Sequence, residues 1–138
     1  MFLEKFSFTT KETTELVIIT DKVKEFVKKS GIKEGLCVVH STHTTAGITV
    51  STISDPLGEK DILDEFDRLV PTRATFKHTL DTPADAAGHI KIILSGNAAM
   101  FPVKDNELVI GHSQYILFFE FDGPRDREVL VQVLGEVS

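Results

Sequence analysis

Cysteine is nearly absent from this chain, with Cys37 the only one, and tryptophan is missing altogether. A lone cysteine excludes an intrachain disulfide and any zinc motif built on paired cysteines. Cys37 itself sits mid-strand among apolar residues, where a thiol stays neutral, so it is a poor nucleophile. Long apolar runs are absent too: no stretch approaches the ~18 residues of a membrane span. Met1-Phe-Leu-Glu-Lys-Phe-Ser-Phe8 lacks the uninterrupted apolar segment of a signal peptide, which makes the cytoplasm the expected compartment. Positive charge is scarce: 15 Lys and Arg stand against 21 Asp and Glu, a net charge of −6, and no basic run occurs. That sign disfavours nucleic acid as a partner. A small anion is not excluded, because backbone amides and a few local donors can hold one.

What remains is an ordinary globular composition, long enough at 138 residues for one domain spanning 1–138. Alternation over residues 2–8 reads as a strand, although Glu4 interrupts its apolar side. Further strands are expected over 14–19, 35–40, 48–53, 98–103, 107–110, 115–121 and 128–134. Helices are expected from Thr20 or Asp21 to Gly31, from Pro56 to Val70, and from Asp85 to Gly96. About eight strands and three helices, with strands clustered at the end, give an α+β fold with mainly antiparallel sheets.

Chemistry concentrates around histidines. His43 is followed by Thr44, Thr45, Ala46 and Gly47, hydroxyls and amides suited to an anion cradle. The plain alternative is a Thr-rich strand entry. His40 precedes it by three residues and faces the other side of a continuous strand, as a strand-end histidine. His78 and His89 bracket Asp81 and Asp85. On a helix Asp85 and His89 share a face, so the carboxylate can orient the imidazole or join it on one ion. Such pairs are also common as surface contacts. Glu120 interrupts the apolar strand 115–121; burial there requires a cation or donors, and the alternative is a solvent-facing position. Gln114 and His112 stand in the loop before that strand. No Gly-x-Gly-x-x-Gly, P-loop, His-Glu-x-x-His or Gly-x-Ser-x-Gly occurs.

His43-Thr-Thr-Ala-Gly-Ile-Thr-Val50, Asp55-Pro56, His78, Asp85-x-x-x-His89-Ile-Lys91, Gly96 with Pro102-Val103, Gly111-x-x-Gln114 and Glu120 follow one another along nearly the whole chain. In that order they resemble the YjbQ family, also called uncharacterised protein family 0047 or the secondary thiamine-phosphate synthase family. The resemblance implies an α+β protein that assembles as a homotrimer. It implies a secondary thiamine phosphate synthase activity, which joins a pyrimidine diphosphate to a thiazole phosphate and releases pyrophosphate. Carried over by position, the catalytic candidates are His43, His78, Asp85, His89 and Glu120, with Thr44, Thr45 and Gln114 as ligand or phosphate contacts. A divalent metal, magnesium or zinc, is possible in such a site, with His43, His78 and His89 as ligands. Departures from the family pattern fall at Ser51, Thr52, Ala84, Ser113 and Asp122, where fewer carboxylates and a missing arginine weaken a metal-dependent reading. Two further readings stand beside the synthase: a zinc-assisted hydrolase, and a trimer that binds a small ligand without turnover.

Overall fold

The computed structural model describes residues 1–53, 55–72, 76–77 and 82–138. His78 and Asp81, two of the residues singled out above, lie outside the described residues. In chain order the elements are β1 (Phe2–Thr9), β2 (Glu15–Ile18), α1 (Thr20–Ser30), β3 (Glu34–Ser41), β4 (Ala46–Ser51), α2 (Pro56–Leu69), α3 (Pro83–Ser95), β5 (Ala98–Lys104), β6 (Glu107–Leu108), β7 (Tyr115–Glu120) and β8 (Asp126–Glu136). Five strands form one sheet in the order β1-β8-β3-β5-β6, and three form a second in the order β2-β7-β4. Among the described residues every strand pair is antiparallel. The α+β fold expected from the sequence is the one observed.

Strand patterning explains how the layers stack. β7 is buried along nearly its whole length. Ile116 and Phe118 join Val129, Val131 and Val133 of β8, Cys37 and Val39 of β3, and Val23 and Val27 of α1 in the main core. Leu117 and Phe119, on the opposite face, join Leu16 and Phe121 in a second cluster, against which Ile62, Leu63 and Phe66 of α2 pack. β7 therefore sits between two apolar layers, which is why its sequence shows little alternation.

Local departures from expectation have physical causes. Glu4, which breaks the apolar side of β1, is met by Lys29 of α1 at 2.8 Å, so a charge pair closes that edge of the layer. The Thr20 hydroxyl does not cap α1; it accepts from the backbone N–H of Ile116 at 2.9 Å, and Ile19 stands at the N-cap without a side-chain bond. Gly31, at φ 70°, ends α1 in the left-handed conformation as expected. β4 begins two residues earlier than its apolar alternation suggests, because Gly47 lets it approach the end of α3. A Cβ at Gly47 would lie 2.3 Å from the carbonyl oxygen of Gly96. Among the described residues no helix is long and apolar enough to cross a membrane.

Candidate functional site

The loop between β3 and β4 carries His43, Thr44 and Thr45, and its shape is fixed by hydrogen bonds at both ends. Ser41 Oγ donates to the Ala46 carbonyl at 2.6 Å and accepts from the His43 backbone N–H at 3.3 Å. The Thr45 carbonyl accepts from the backbone N–H of Phe121 at 3.0 Å. Across the loop runs α3. Its N-cap is Thr82, whose hydroxyl accepts from the Asp85 backbone N–H at 3.2 Å. Asp85, expected near the helix start as a cap, is therefore not the capping residue.

Asp85 and His89 do meet on one face of α3: His89 Nε2 lies 3.1 Å from Asp85 Oδ2. The other ring nitrogen, Nδ1, lies 3.1 Å from the carbonyl oxygen of Thr44. Both nitrogens thus face oxygen acceptors. A neutral imidazole donates to only one of them and an imidazolium to both. His89 is a bridge from the helix to the histidine loop. Gly88, one residue earlier, allows the contact to close: a Cβ there would lie 3.1 Å from Thr45 Cγ2 and 3.3 Å from Phe121 Cβ.

His43 is held differently. Its Nε2 accepts from the backbone N–H of Glu128 at 2.9 Å. Its ring stands edge-on to Phe118, with centroids 6.5 Å apart at 86°. Desolvation holds its pKa below the ordinary value of 6.5, and the positive charge of Arg127 pushes in the same direction.

His43, Thr44, His89, Ile92, Ile93, Gly96 and Asn97 line a cleft of about 500 Å³. Two of the sequence-derived histidines and one threonine therefore share a cavity. Thr45 does not line it: it is buried, and its hydroxyl accepts from Arg127 Nη2 at 2.8 Å. Gln114 is also elsewhere. Its side-chain oxygen accepts from the Gly111 backbone N–H at 2.8 Å and closes an exposed turn. His40 lies within β3, paired with Ala98 and Leu130.

Glu120 is fully buried, not solvent-facing. It shares the β7 face of Ile116 and Phe118, and Arg127 of β8, 5 % exposed, meets it with a two-pronged contact. Arg127 Nε donates to Glu120 Oε2 at 2.7 Å, and Nη2 donates to Oε1. The Thr10 hydroxyl and the Asp122 backbone N–H each donate to the same carboxylate at 2.9 Å. Glu120 is a riveted ion pair between the two sheets, beneath the histidine loop and out of the cleft. Its partner was overlooked in the sequence. The signal was available, since Arg127 heads the alternating set Arg127, Val129, Val131 and Val133, a charge on an otherwise apolar strand face.

A second charged group surrounds Asp85. Asp122 is buried and feels the negative charge of Asp85. Arg125 donates to Asp122 Oδ2 and to the Asp122 carbonyl, both at 2.8 Å. Desolvation raises the Asp122 pKa above the usual carboxylate value of 3.8, Asp85 adds to the rise, and Arg125 opposes it. Asp122, expected to mark the loss of an arginine, thus has Arg125 bound to it three residues on.

Of the three histidines expected around zinc, only His43 and His89 are among the described residues. His43 Nε2 is taken by a backbone amide, and both nitrogens of His89 face protein oxygens. No group of three His, Cys, Asp or Glu side chains is arranged to hold a metal among the described residues.

Residues 4–136 match a family model described as UPF0047 protein YjbQ-like. A UPF0047 protein of Methanocaldococcus jannaschii is 38% identical over 134 residues, covering 97% of this chain and 95% of its own length. The UPF0047 protein YugU of Bacillus subtilis is 34% identical, covering 96% of this chain and 99% of its own. Among solved structures, a hypothetical protein from Aeropyrum pernix superposes with a TM-score of 0.92 at 34% identity, covering 99% of this chain and 100% of that one. A protein of unknown function from Sulfolobus solfataricus gives the same TM-score and identity, over 98% of this chain and 97% of that one.

Proposed function

This chain belongs to the YjbQ-like UPF0047 family, and on that premise we propose that the cleft between the histidine loop and α3 is the active site of an enzyme acting on a small phosphorylated molecule. The reaction is a transfer of the thiamine phosphate synthase type, in which pyrophosphate leaves a pyrimidine diphosphate as a thiazole phosphate attacks. One observation carries the reading: His43 and His89 converge on one cleft, each with its ring held by named hydrogen bonds. In this reading neutral donors and the His89 bridge receive the charge that develops on the leaving group. Asp85 orients His89 as a carboxylate orients an imidazole elsewhere. Glu120 acts through structure, as the base on which the loop rests.

The site works in a homotrimer in this proposal. The support is α3, whose outward stripe of Ile90, Ile93 and Leu94 is exposed beside the cleft, Ile93 at 80 %. Single exposed apolar residues are common, but a helical stripe bordering a cavity suits a second copy of the chain.

The test is product formation from a pyrimidine diphosphate and a thiazole phosphate with magnesium. The expected result is measurable turnover that falls at least about a hundredfold in His43→Ala and His89→Ala, the range for removing a general acid–base or charge-stabilising group. No product from the wild-type chain, or unchanged rates in both variants, overturns it. One observation favours binding without turnover: among the described residues, the cleft's lining contains neither lysine nor arginine. A ligand that raises Tm without being consumed would support that second reading.

A further inference from the structure

The two cleft histidines are not equivalent. His89 has both nitrogens turned to protein oxygens. His43 has one nitrogen committed, Nε2, and its partner is the backbone N–H of Glu128 at 2.9 Å. A backbone N–H only donates, so Nε2 must present its lone pair. In the neutral ring the proton therefore sits on Nδ1. Protonating Nε2 would set two donors against each other and strand an amide at the edge of β8.

Among the described residues, Nδ1 of His43 meets no protein acceptor. The Thr44 hydroxyl and the Asn97 amide, on the same cleft wall, likewise make no side-chain hydrogen bond to the described residues. Three neutral donors thus border one cavity. Each can meet an anionic or carbonyl oxygen, which is how a preorganised site holds developing negative charge without a fixed cation.

The geometry points to His43 as a hydrogen-bond donor to its ligand through Nδ1–H, in a tautomer set by β8, with Glu128 supplying the amide and Arg127 acting as a positioning residue. Arg127 holds the loop from below, donating to Thr45 Oγ1 at 2.8 Å while paired with Glu120. Its charge also disfavours the protonated ring. His43 in this state is neither the base nor the metal ligand that an isolated histidine suggests. Asn97, which no sequence signal marked, joins it as a recognition residue for an oxygen acceptor such as phosphate.

The donor role rests on the cleft being the site proposed above; the tautomer does not. Long-range proton–nitrogen NMR of histidine-labelled protein at neutral pH reads the tautomer directly. The expected spectrum has His43 protonated at Nδ1 and bare at Nε2, assigned by its loss in His43→Asn. A dominant Nε2–H form overturns the inference. Thr45→Val removes the hydroxyl that Arg127 bonds, leaving only its longer contact to the Thr45 carbonyl at 3.4 Å, while keeping the Glu120 pair. With folding checked by circular dichroism, mixed tautomers are expected, and an unchanged single tautomer overturns the role given to Arg127.

Pyrophosphate is the probe for the donor. It should shift the Nδ1 resonance on binding. His43→Asn, whose amide nitrogen takes the Nδ1 position, should keep Kd within a few-fold. His43→Gln, which reaches the Nε2 position instead, should weaken binding by roughly ten- to hundredfold, the loss of one hydrogen bond to a charged group. Equal losses in the two variants, or binding that leaves Nδ1 unshifted, overturn the donor role with the tautomer intact. Absence of any pyrophosphate binding overturns the phosphate reading itself, and the donor role with it.

Discussion

Glu120 and Arg127 place two full charges inside the protein, one fully buried and the other 5 % exposed. Such a pair is tolerable because both carboxylate oxygens and the Nε and Nη2 nitrogens have partners. Among the described residues no buried side-chain nitrogen or oxygen lacks one. Removing one member is a different matter. Glu120→Gln leaves the Arg127 charge uncompensated and should lower unfolding stability by about 3–5 kcal/mol in a urea titration. Cys37 belongs to the same scale. Burial pushes its thiol up to about 11, so alkylating reagents should leave it unmodified in the folded protein at pH 8 and label it fully in urea. His43 adds a pH dependence of known sign. Its folded pKa lies below its ordinary value of 6.5, so between those values the unfolded chain binds more protons and stability rises with pH. The stability of wild type relative to His43→Asn should therefore fall as pH drops from 7.5 to 5.5. Asp122, whose pKa is raised, slopes the other way, and the subtraction cancels it. The charges at 120 and 127 were each readable as misfits on apolar strands. That they answer one another was not, because pairing across two sheets leaves no trace in local spacing.

Helix α3 is the element that makes the site. Its existence and ends were legible from Ala86, Ile90, Ile93 and Leu94 at helical spacing and from Gly96. The face it buries was not. Asp85, Ala86, Ala87, Gly88 and Lys91 go inward, while Ile90, Ile93 and Leu94 stay exposed. At Gly88 the inner face takes the smallest residue because Thr45 of the histidine loop passes close by. Gly88→Ala tests this. Alanine gains about 1 kcal/mol in helix propensity, yet its Cβ would press on Thr45, which Arg127 holds in place. The expected outcome is a net loss of about 1–3 kcal/mol, with a shifted His43 resonance as the local readout. Lys91 is the other surprise on this helix: it is 2 % exposed and reaches Asp67 of α2 at 2.5 Å. It links α3 to α2 as a buried cation held from the surface.

At the scale of the whole molecule, alternation and breaker residues predict the order of the elements and their antiparallel character. The division into sheets of five and three strands depends on where β7 and β8 part company, which no single segment encodes. The turn between them holds Asp122 and Arg125, and the chain changes sheet there. The proposed homotrimer is tested by light scattering on the 15.3 kDa chain. About three times that mass is expected, and Ile93→Asp combined with Leu94→Asp should shift the population toward monomer. A monomeric wild type at micromolar concentration would remove the assembly from the proposal.

The rivet between the sheets also constrains how this protein can change over generations. A lineage that loses Glu120 first, or Arg127 first, passes through a chain with a stranded interior charge, destabilised by a large share of the 5–15 kcal/mol that holds a typical domain together. The two positions are therefore inherited as one character. Drift at either is expected only where both are replaced together, and a laboratory library that varies them singly should recover few survivors, while one that varies them jointly should recover apolar pairs.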